Sequence, residues 1–306
     1  MNCSVVASVY NEELGIELFY KETGKILSSL SIKYELIFVN DGSKDNSLKI
    51  LEKIAKEDKN VRIISFSKNF GHEAAMIAGI DNSIGDAIIC LDSDLQHPPT
   101  LFPEMLKKYQ EGYEIINMTR TVRKDANFIS KINSKLFYKF LNSISSIKIE
   151  ENASDFFLIS KNVANIIRTN FRERTRFLRG IIQLVGFNKT TLKYEAPKRI
   201  AGKSHYSFIK LVKLSLTAIS SFSKLPLQLG IIVGLIFIVF SMIVLIYSIV
   251  MWFLGEAFSG YTTIIVFLSL FGGIQMFVIG IIGQYLSYMF DEIKGRPIYI
   301  VEKIVN

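Results

Sequence analysis

An apolar run, Ile88 to Leu91, stops at two carboxylates one residue apart, Asp92 and Asp94, followed by Gln96, His97 and two prolines ("IICLDSDLQHPP"). Paired acids at the end of a buried strand have two readings: an acidic turn, or oxygens that hold a divalent cation. On a turn, both carboxylates can point into one cleft. Hard oxygen ligands suit Mg2+ or Mn2+, which keep part of their coordination for substrate phosphates. Asp41, in "NDGS", also has two readings, and they are compatible. Its carboxylate accepts hydrogen bonds from a base or ribose, or it satisfies its own backbone in an Asp-Gly turn.

These residues need elements to position them. Short apolar runs rich in Val and Ile occur at Ser4–Val9, Tyr34–Val39, Val61–Phe66, Ala87–Leu91 and Glu114–Met118. Between them lie amphipathic stretches of helical length, such as Asp45–Asp58 and Gly71–Ser83. This alternation predicts βαβ units and a mostly parallel, Rossmann-like sheet with helices on both faces. "YNEE", "NDGS", "SKNFG" and "DSD" follow the first four runs. In a parallel sheet these carboxyl ends share one edge, where ligands bind. Glu12, Asp41, Asp92 and Asp94 are therefore expected to converge, which favours the metal reading. Farther on, Lys131–Leu141 reads as a helix, Ala153–Ser160 as a strand returning to the site, and Phe208–Leu225 as an interfacial helix.

Several motif matches fail. "AGKS", Ala201 to Ser204, resembles the end of a phosphate loop, but Pro197 stands where a glycine is required. "HEAAM" begins like a zinc-protease helix, but Met76 stands in place of the second histidine. No GxGxxG follows the first strand, which argues against a dinucleotide cofactor. His72, His97 and His205 are too dispersed for a zinc site and read as surface or hydrogen-bonding residues. Cys3 and Cys90 sit alone in strand-like runs, which argues against a disulfide framework.

The C-terminal third is different. No charged residue lies between Lys224 and Glu256, or between Glu256 and Asp291. Each gap exceeds the roughly 20 residues needed to cross a bilayer. The short connector "GEAFSG" makes the two runs a transmembrane hairpin with both chain ends on one side. The connector carries only Glu256, whereas Lys224, Lys294 and Arg296 flank the outer ends, so both termini are expected in the cytoplasm. The "NMT", "NAS" and "NKT" sequons are then not expected to be glycosylated, and the N-terminus, with acids following "CSVVASV", does not read as a signal peptide. Charge is divided along the chain: −6 over residues 1–119, +15 over 120–225 and −1 over 226–306. The basic middle block, just before the membrane, suits anionic headgroups or a phosphate-bearing ligand, or is a solvated face.

Seven segments carry a resemblance: "SVVASVYNEE", "FVNDGSKDNS", "SKNFGHEAAMIAGID", "LDSDLQHPP", "SDFFLISK", "RTRFLRG" and "RIAGKSHYSF". In this order they resemble the polyprenyl-phosphate glycosyltransferases of glycosyltransferase family 2, such as dolichol-phosphate mannosyltransferases and bacterial undecaprenyl-phosphate glucosyltransferases. The resemblance spans essentially the whole chain. It implies a nucleotide-sugar-binding fold of the GT-A type over residues 1–200, juxtamembrane helices over 201–225, two membrane helices over 226–290 and a cytoplasmic tail over 291–306.

By the same resemblance, Tyr10, Glu12 and Asp41 hold the nucleoside, and Asp92 meets the ribose or diphosphate. Asp94 and Gln96, with Asp92 beside them, take Mg2+ or Mn2+. Arg199, Lys203 and Ser204 close over the diphosphate, while Arg120, Arg123, Lys131 and Ser134 receive the lipid phosphate. Asp155 lines the reaction centre, with a structural alternative as hydrogen-bond acceptor for a nearby arginine. Two departures stand out: Ser8 where the family usually has proline, and Phe157 where arginine is common.

The implied reaction moves one sugar, with inversion, from a nucleotide sugar to polyprenyl phosphate at the inner membrane's cytoplasmic face. A UDP-sugar is the expected donor and GDP-mannose the alternative. Partners are the nucleotide sugar, the lipid phosphate, membrane lipid and further copies of the chain, with no nucleic acid. A processive polysaccharide synthase would carry Gln-x-x-Arg-Trp, but Trp252, the one tryptophan, lies in the hairpin. A non-catalytic scaffold or sugar-lipid translocator is the reading from another class.

Overall fold

The computed structural model describes residues 1–121, 153–174, 177–195, 197, 225–255 and 260–306. The chain divides into two compact units. One holds the sheet together with Pro297–Asn306, and the other holds the two long apolar helices.

The sheet unit is built as the apolar runs predict. Strands β1 (Asn2–Val9), β2 (Lys33–Asn40), β3 (Val61–Phe66) and β4 (Ala87–Asp92) alternate with helices α1 (Ile16–Ser29), α2 (Ser47–Glu57) and α3 (His72–Asn82). Helix α4 (Phe102–Gln110) leads into β5 (Ile115–Arg120). Then come β6 (Ala153–Ser160), α5 (Lys161–Asn170), α6 (Leu178–Leu184) and β7 (Lys189–Tyr194). With β8 (Val301–Val305), the eight-stranded order is β7-β5-β6-β4-β1-β2-β3-β8.

The centre, β4-β1-β2-β3, is parallel, because each crossover carries a helix. Side chains alternate along each strand. Val5, Ala7 and Val9 therefore pack with α1, α2 and α4 on one face, while Val6 packs with α3, α5 and α6 on the other. Phe157 lies in the second core, 2% exposed, so this departure from the family's arginine is a core residue.

Outside the centre the sheet is mixed. β6 runs antiparallel to both β4 and β5, and β7 runs parallel to β5. This has a functional consequence. An antiparallel strand begins at the edge where its parallel neighbours end. Asp155, near the start of β6, therefore reaches the same edge as Asp92 at the end of β4, Arg120 at the end of β5 and Tyr194 at the end of β7.

The segment after the apolar helices departs from the expected tail. Val301–Val305 forms β8, an edge strand antiparallel to β3. Asn306 Nδ2 donates to the carbonyls of Ala55 and Val61, both at 2.9 Å, and Tyr299 stacks on Phe66 at 5.1 Å. Covering the outer edge of β3 also removes an unpaired template for aggregation.

The second unit contains α7 (Leu225–Phe253) and α8 (Tyr261–Ile293). Both hold windows long and apolar enough to cross a membrane, with mean hydropathy 2.9 over Gly230–Met251 and 2.4 over Ile264–Ile293. The helices touch through Phe237 and Phe271, whose ring centroids lie 4.7 Å apart. The proposed helix over Lys131–Leu141 lies outside the described residues, as does that over Phe208–Leu225 up to Leu225, which begins α7.

One turn sets the shape of the functional edge. Gly42, after β2, has φ +63°, and a Cβ there would sit 2.4 Å from the Lys68 carbonyl carbon. Only glycine fits both the conformation and the space. Gly42→Ala is expected to destabilise the sheet unit by about 2–3 kcal/mol, read as a lower denaturation midpoint. An unchanged midpoint would show that the two loops separate freely.

Candidate functional site

The loops at the carboxyl edge are tied to one another before any ligand is considered. The backbone N–H of Asn11 donates to Ser43 Oγ, and Lys44 N–H returns to Asn11 Oδ1 at 2.8 Å. Glu12 N–H donates to Ser47 Oγ, and Asn46 N–H donates to Glu13 Oε2, each at 3.0 Å. "YNEE" and "NDGSKDNS" thus form one interlocked surface. Tyr10 stands at its rim, 43% exposed.

Asp41 lies deeper, 3% exposed. Its Oδ1 accepts from the Phe70 amide at 2.6 Å, and its Oδ2 from the Gly71 amide at 3.0 Å. The carboxylate therefore staples the β2 loop to the start of α3 rather than closing its own turn. Burial raises its pKa, and the two amides oppose that shift.

After β4, exposure alternates residue by residue. Asp92, Asp94 and Gln96 are half-buried, whereas Ser93, Leu95 and His97 are buried. The three oxygen-bearing side chains are thus the more exposed members of the loop, and hard donors of this kind fit Mg2+ or Mn2+. Asp94 Oδ1 accepts from the Gln96 amide at 3.1 Å, closing a turn in which Leu95 adopts φ +60°.

A second acidic group was not legible in sequence. Ser8 Oγ donates to Asp92 Oδ1 at 2.9 Å and lies 3.0 Å from His72 Nδ1. His72 bridges two carboxylates, with Nδ1 3.1 Å from Asp92 and Nε2 3.5 Å from Asp155. Arg179 grips Asp155 with two parallel bonds of 2.5 Å. Burial alone would lower the His72 pKa, but Asp92 and Asp155 outweigh it and raise it to about 10. Burial would raise Asp155, but Arg179 and His72 hold it well below the usual carboxylate range.

His72, Asp92 and Asp155 have the chemistry of a metal triad, with ligand atoms all within 4.8 Å of one another. Both Asp155 oxygens already accept from Arg179, and His72 already lies between the two carboxylates. The triad therefore acts as an ion network that fixes Asp92 and Asp155. Of the two readings of Asp155, the arginine partner is present, and it is Arg179.

Glu73 supports this network from below. Its Oε2 accepts from the Leu178 amide at 2.9 Å, anchoring the first turn of α6, which carries Arg179. Burial raises the Glu73 pKa, with Asp155 adding to the effect. The available signal was charge in apolar surroundings: "HE" before "AAMIAGI", and Arg179 inside "FLRGII".

Arg120 is half-buried beside His97 and Tyr194. His97 is fully enclosed, so it is not a surface residue, and burial lowers its pKa. Arg123, Lys131, Ser134, Arg199, Lys203 and Ser204 lie outside the described residues.

The edge thus joins acidic oxygens on β1–β4 loops to cations on β5 and α6. The family model for glycosyl transferase family 2 matches residues 4–167, which contain the acidic loops after β1–β4, Arg120 and Asp155. The chain belongs to glycosyltransferase family 2. Its sheet, parallel at the centre and crossed by the antiparallel β6, is the mixed α/β arrangement of the GT-A type.

The glycosyltransferase is 39% identical over 304 residues to an uncharacterized glycosyltransferase, YkcC, of Bacillus subtilis (strain 168), covering 98% of this chain and 93% of the relative. It is 37% identical over 310 residues to a prophage bactoprenol glucosyl transferase homolog of Escherichia coli (strain K12), covering 99% of each. It is 36% identical over 306 residues to the bactoprenol glucosyl transferase of Shigella phage SfX, again covering 99% of each. Among solved structures, it is similar to glucosyl-3-phosphoglycerate synthase from Mycobacterium tuberculosis in complex with Mn2+, UDP-glucose and phosphoglyceric acid. That match has a TM-score of 0.47 at 15% identity, covering 72% of this chain and 77% of that one.

Proposed function

We propose that this glycosyltransferase moves one glucose from UDP-glucose to undecaprenyl phosphate at the cytoplasmic face of the membrane. The observation that carries the reading is identity of 36–37% along 99% of the chain to proteins named bactoprenol glucosyl transferases, hairpin included.

The chemistry asks little of a base. A phosphate monoester has a second pKa of about 6, so the acceptor is already an anionic nucleophile at neutral pH. Its oxygen bonds to the anomeric carbon, the bond from that carbon to the donor diphosphate breaks, and configuration inverts. The difficulty is bringing two anions together.

Asp94, Gln96 and Asp92 would hold the metal at their loop. When bound, Mg2+ or Mn2+ supplies charge stabilisation to the leaving diphosphate. Tyr10, Glu12 and Asp41 line the nucleoside side, and Arg199, Lys203 and Ser204 close over the diphosphate. Arg120, Arg123, Lys131 and Ser134 receive the acceptor phosphate. Asp155, held ionised by Arg179 and His72, fixes the floor between the two substrates.

The membrane arrangement follows from connectivity. The chain leaves the sheet unit, forms α7 and α8, and returns as β8 in the same sheet. A single crossing would put β8 and β3 on opposite sides of the bilayer. Two crossings keep the catalytic unit and both termini together, in agreement with the basic flanks.

Calorimetric titration with Mn2+ present tests the donor. UDP-glucose is expected to bind and GDP-mannose is not. Preferential binding of GDP-mannose would move the reading to mannosyl transfer, and binding of neither nucleotide sugar to folded protein would favour the scaffold.

A further inference from the structure

Arg120 is held in an unusual way for a cation at an acidic edge. Its Nε donates to the Tyr194 hydroxyl at 3.2 Å, and its Nη2 lies 3.0 Å from His97 Nε2. The Tyr194 hydroxyl in turn donates to Ser154 Oγ at 3.0 Å, and Ser154 Oγ also accepts from the Phe156 amide at 3.1 Å. The His97 ring is fixed by stacking on Phe156, with centroids 5.3 Å apart, and by the edge of Tyr194 at 6.2 Å. His97 and Ser154 are buried and Tyr194 is only 5% exposed, so the grip is built into the sheet rather than laid on its surface.

Two features give this grip a purpose. The Tyr194 partner is neutral. A carboxylate in its place would cancel the guanidinium charge, whereas a phenol fixes the side chain and leaves that charge to act on an anion. The two contacts also take the Nε and Nη2 side of a planar fork that carries five N–H donors, which leaves the fork's orientation defined.

His97 is shared with the donor loop, because its Nδ1 lies 3.0 Å from the Asp92 amide. His97 Nε2 also lies 3.3 Å from Ser154 Oγ, so the ring joins the Asp92 loop, Arg120 and the start of β6.

The geometry points to Tyr194 and His97 as positioning residues that aim Arg120, with its charge intact, at the acceptor phosphate. The inference rests on the reading of Arg120 as an acceptor-phosphate residue and names what places it. None of this requires the two residues to touch substrate, so their effect must appear through Arg120 alone.

The test uses the purified full chain, UDP-glucose, undecaprenyl phosphate and Mn2+, with the KM of each substrate measured separately. Tyr194→Phe keeps the ring and its packing. It is expected to raise the acceptor KM about tenfold, the worth of one hydrogen bond to a charged group, with the donor KM unchanged and the melting temperature lowered only modestly by the lost buried hydroxyl. Arg120→Ala is expected to raise the acceptor KM further, and the double variant no further than Arg120→Ala alone.

If Arg120→Ala raises the acceptor KM and Tyr194→Phe does not, the positioning role is overturned while the reading of Arg120 stands. If Arg120→Ala leaves the acceptor KM unchanged, that reading falls and takes the inference with it. If Tyr194→Phe shifts both KM values equally, Tyr194 is merely structural. Should Tyr194→Phe fold poorly, Ser154→Ala removes the anchor of the hydroxyl and leaves the ring. The same split in KM would support the inference, and no split would overturn it.

Discussion

Asp94→Asn is expected to lower kcat/KM for sugar transfer on the order of 10²–10³-fold, the scale seen when one preorganised electrostatic group is removed, without unfolding the protein. The second half of this prediction comes from the loop itself. Asp94 is half-buried, and its Oδ1 accepts from the Gln96 amide. An asparagine carbonyl accepts the same hydrogen bond, so the turn and the φ +60° conformation of Leu95 survive. What is lost is the negative charge that draws a divalent cation. The defect should therefore shrink as Mn2+ is raised. Initial rates across a Mn2+ series, beside thermal melts, check both halves. Wild-type turnover in Asp94→Asn would remove the carboxylate from the mechanism.

Asp155→Asn should damage both folding and turnover. Asp155 lies between Arg179 and His72 and pairs with both. Without its charge, two cations face each other across a partly closed site. Breaking a buried pair costs about 3–5 kcal/mol. Arg179 and His72 are 31% and 35% exposed, and with solvent screening about 2–3 kcal/mol is expected here. Turnover should fall about 10²-fold, because a displacement of about 1 Å at a reacting centre has that effect, and Asp92 loses alignment when His72 moves.

The pH dependence of this cost has a defined sign. His72 is raised to about 10 in the folded chain from about 6.5 in an unfolded one. Its contribution is complete below pH about 6.5 and is lost as pH rises through about 10. The stability gap between wild type and Asp155→Asn should therefore narrow from neutral pH toward pH about 10. The Arg179 share persists over that range. A gap that stays constant would mean that His72 is not charged in the native state.

The parts of this molecule that were legible in sequence are those written locally. The central strands could be read because Val- and Ile-rich runs stop at Asn, Asp and Gly. Their parallel order then forces "YNEE", "NDGS" and "DSD" to one edge. The two long apolar helices were legible from the uncharged apolar runs on either side of Glu256.

What stayed hidden depends on distant closure. "VEKIV" carries two charges in five residues, and its partner strand β3 lies far back in the sequence, so β8 read as a tail. β7, "KTTLKY", is polar because it lies at an edge. His72, Arg179 and His97 each look ordinary alone. They acquire roles only when α3, α6 and the loop after β4 meet at the edge. Ser8 read only as a departure from the family's usual proline, yet its hydroxyl holds Asp92, which proline could not do. Asp41 read as a nucleoside or turn residue, and the backbone amides that occupy it come from the loop after β3.

The central claim is that one sugar passes from a nucleotide donor to a polyprenyl phosphate, and one measurement addresses it directly. Purified protein is mixed with undecaprenyl phosphate, Mn2+ and labelled UDP-glucose, other UDP-sugars or GDP-mannose in separate tubes, and label in the organic phase is counted. The account predicts label from UDP-glucose, abolished by a chelator and restored by added Mn2+. No label from any donor, with the protein folded and the lipid phosphate present, would contradict it.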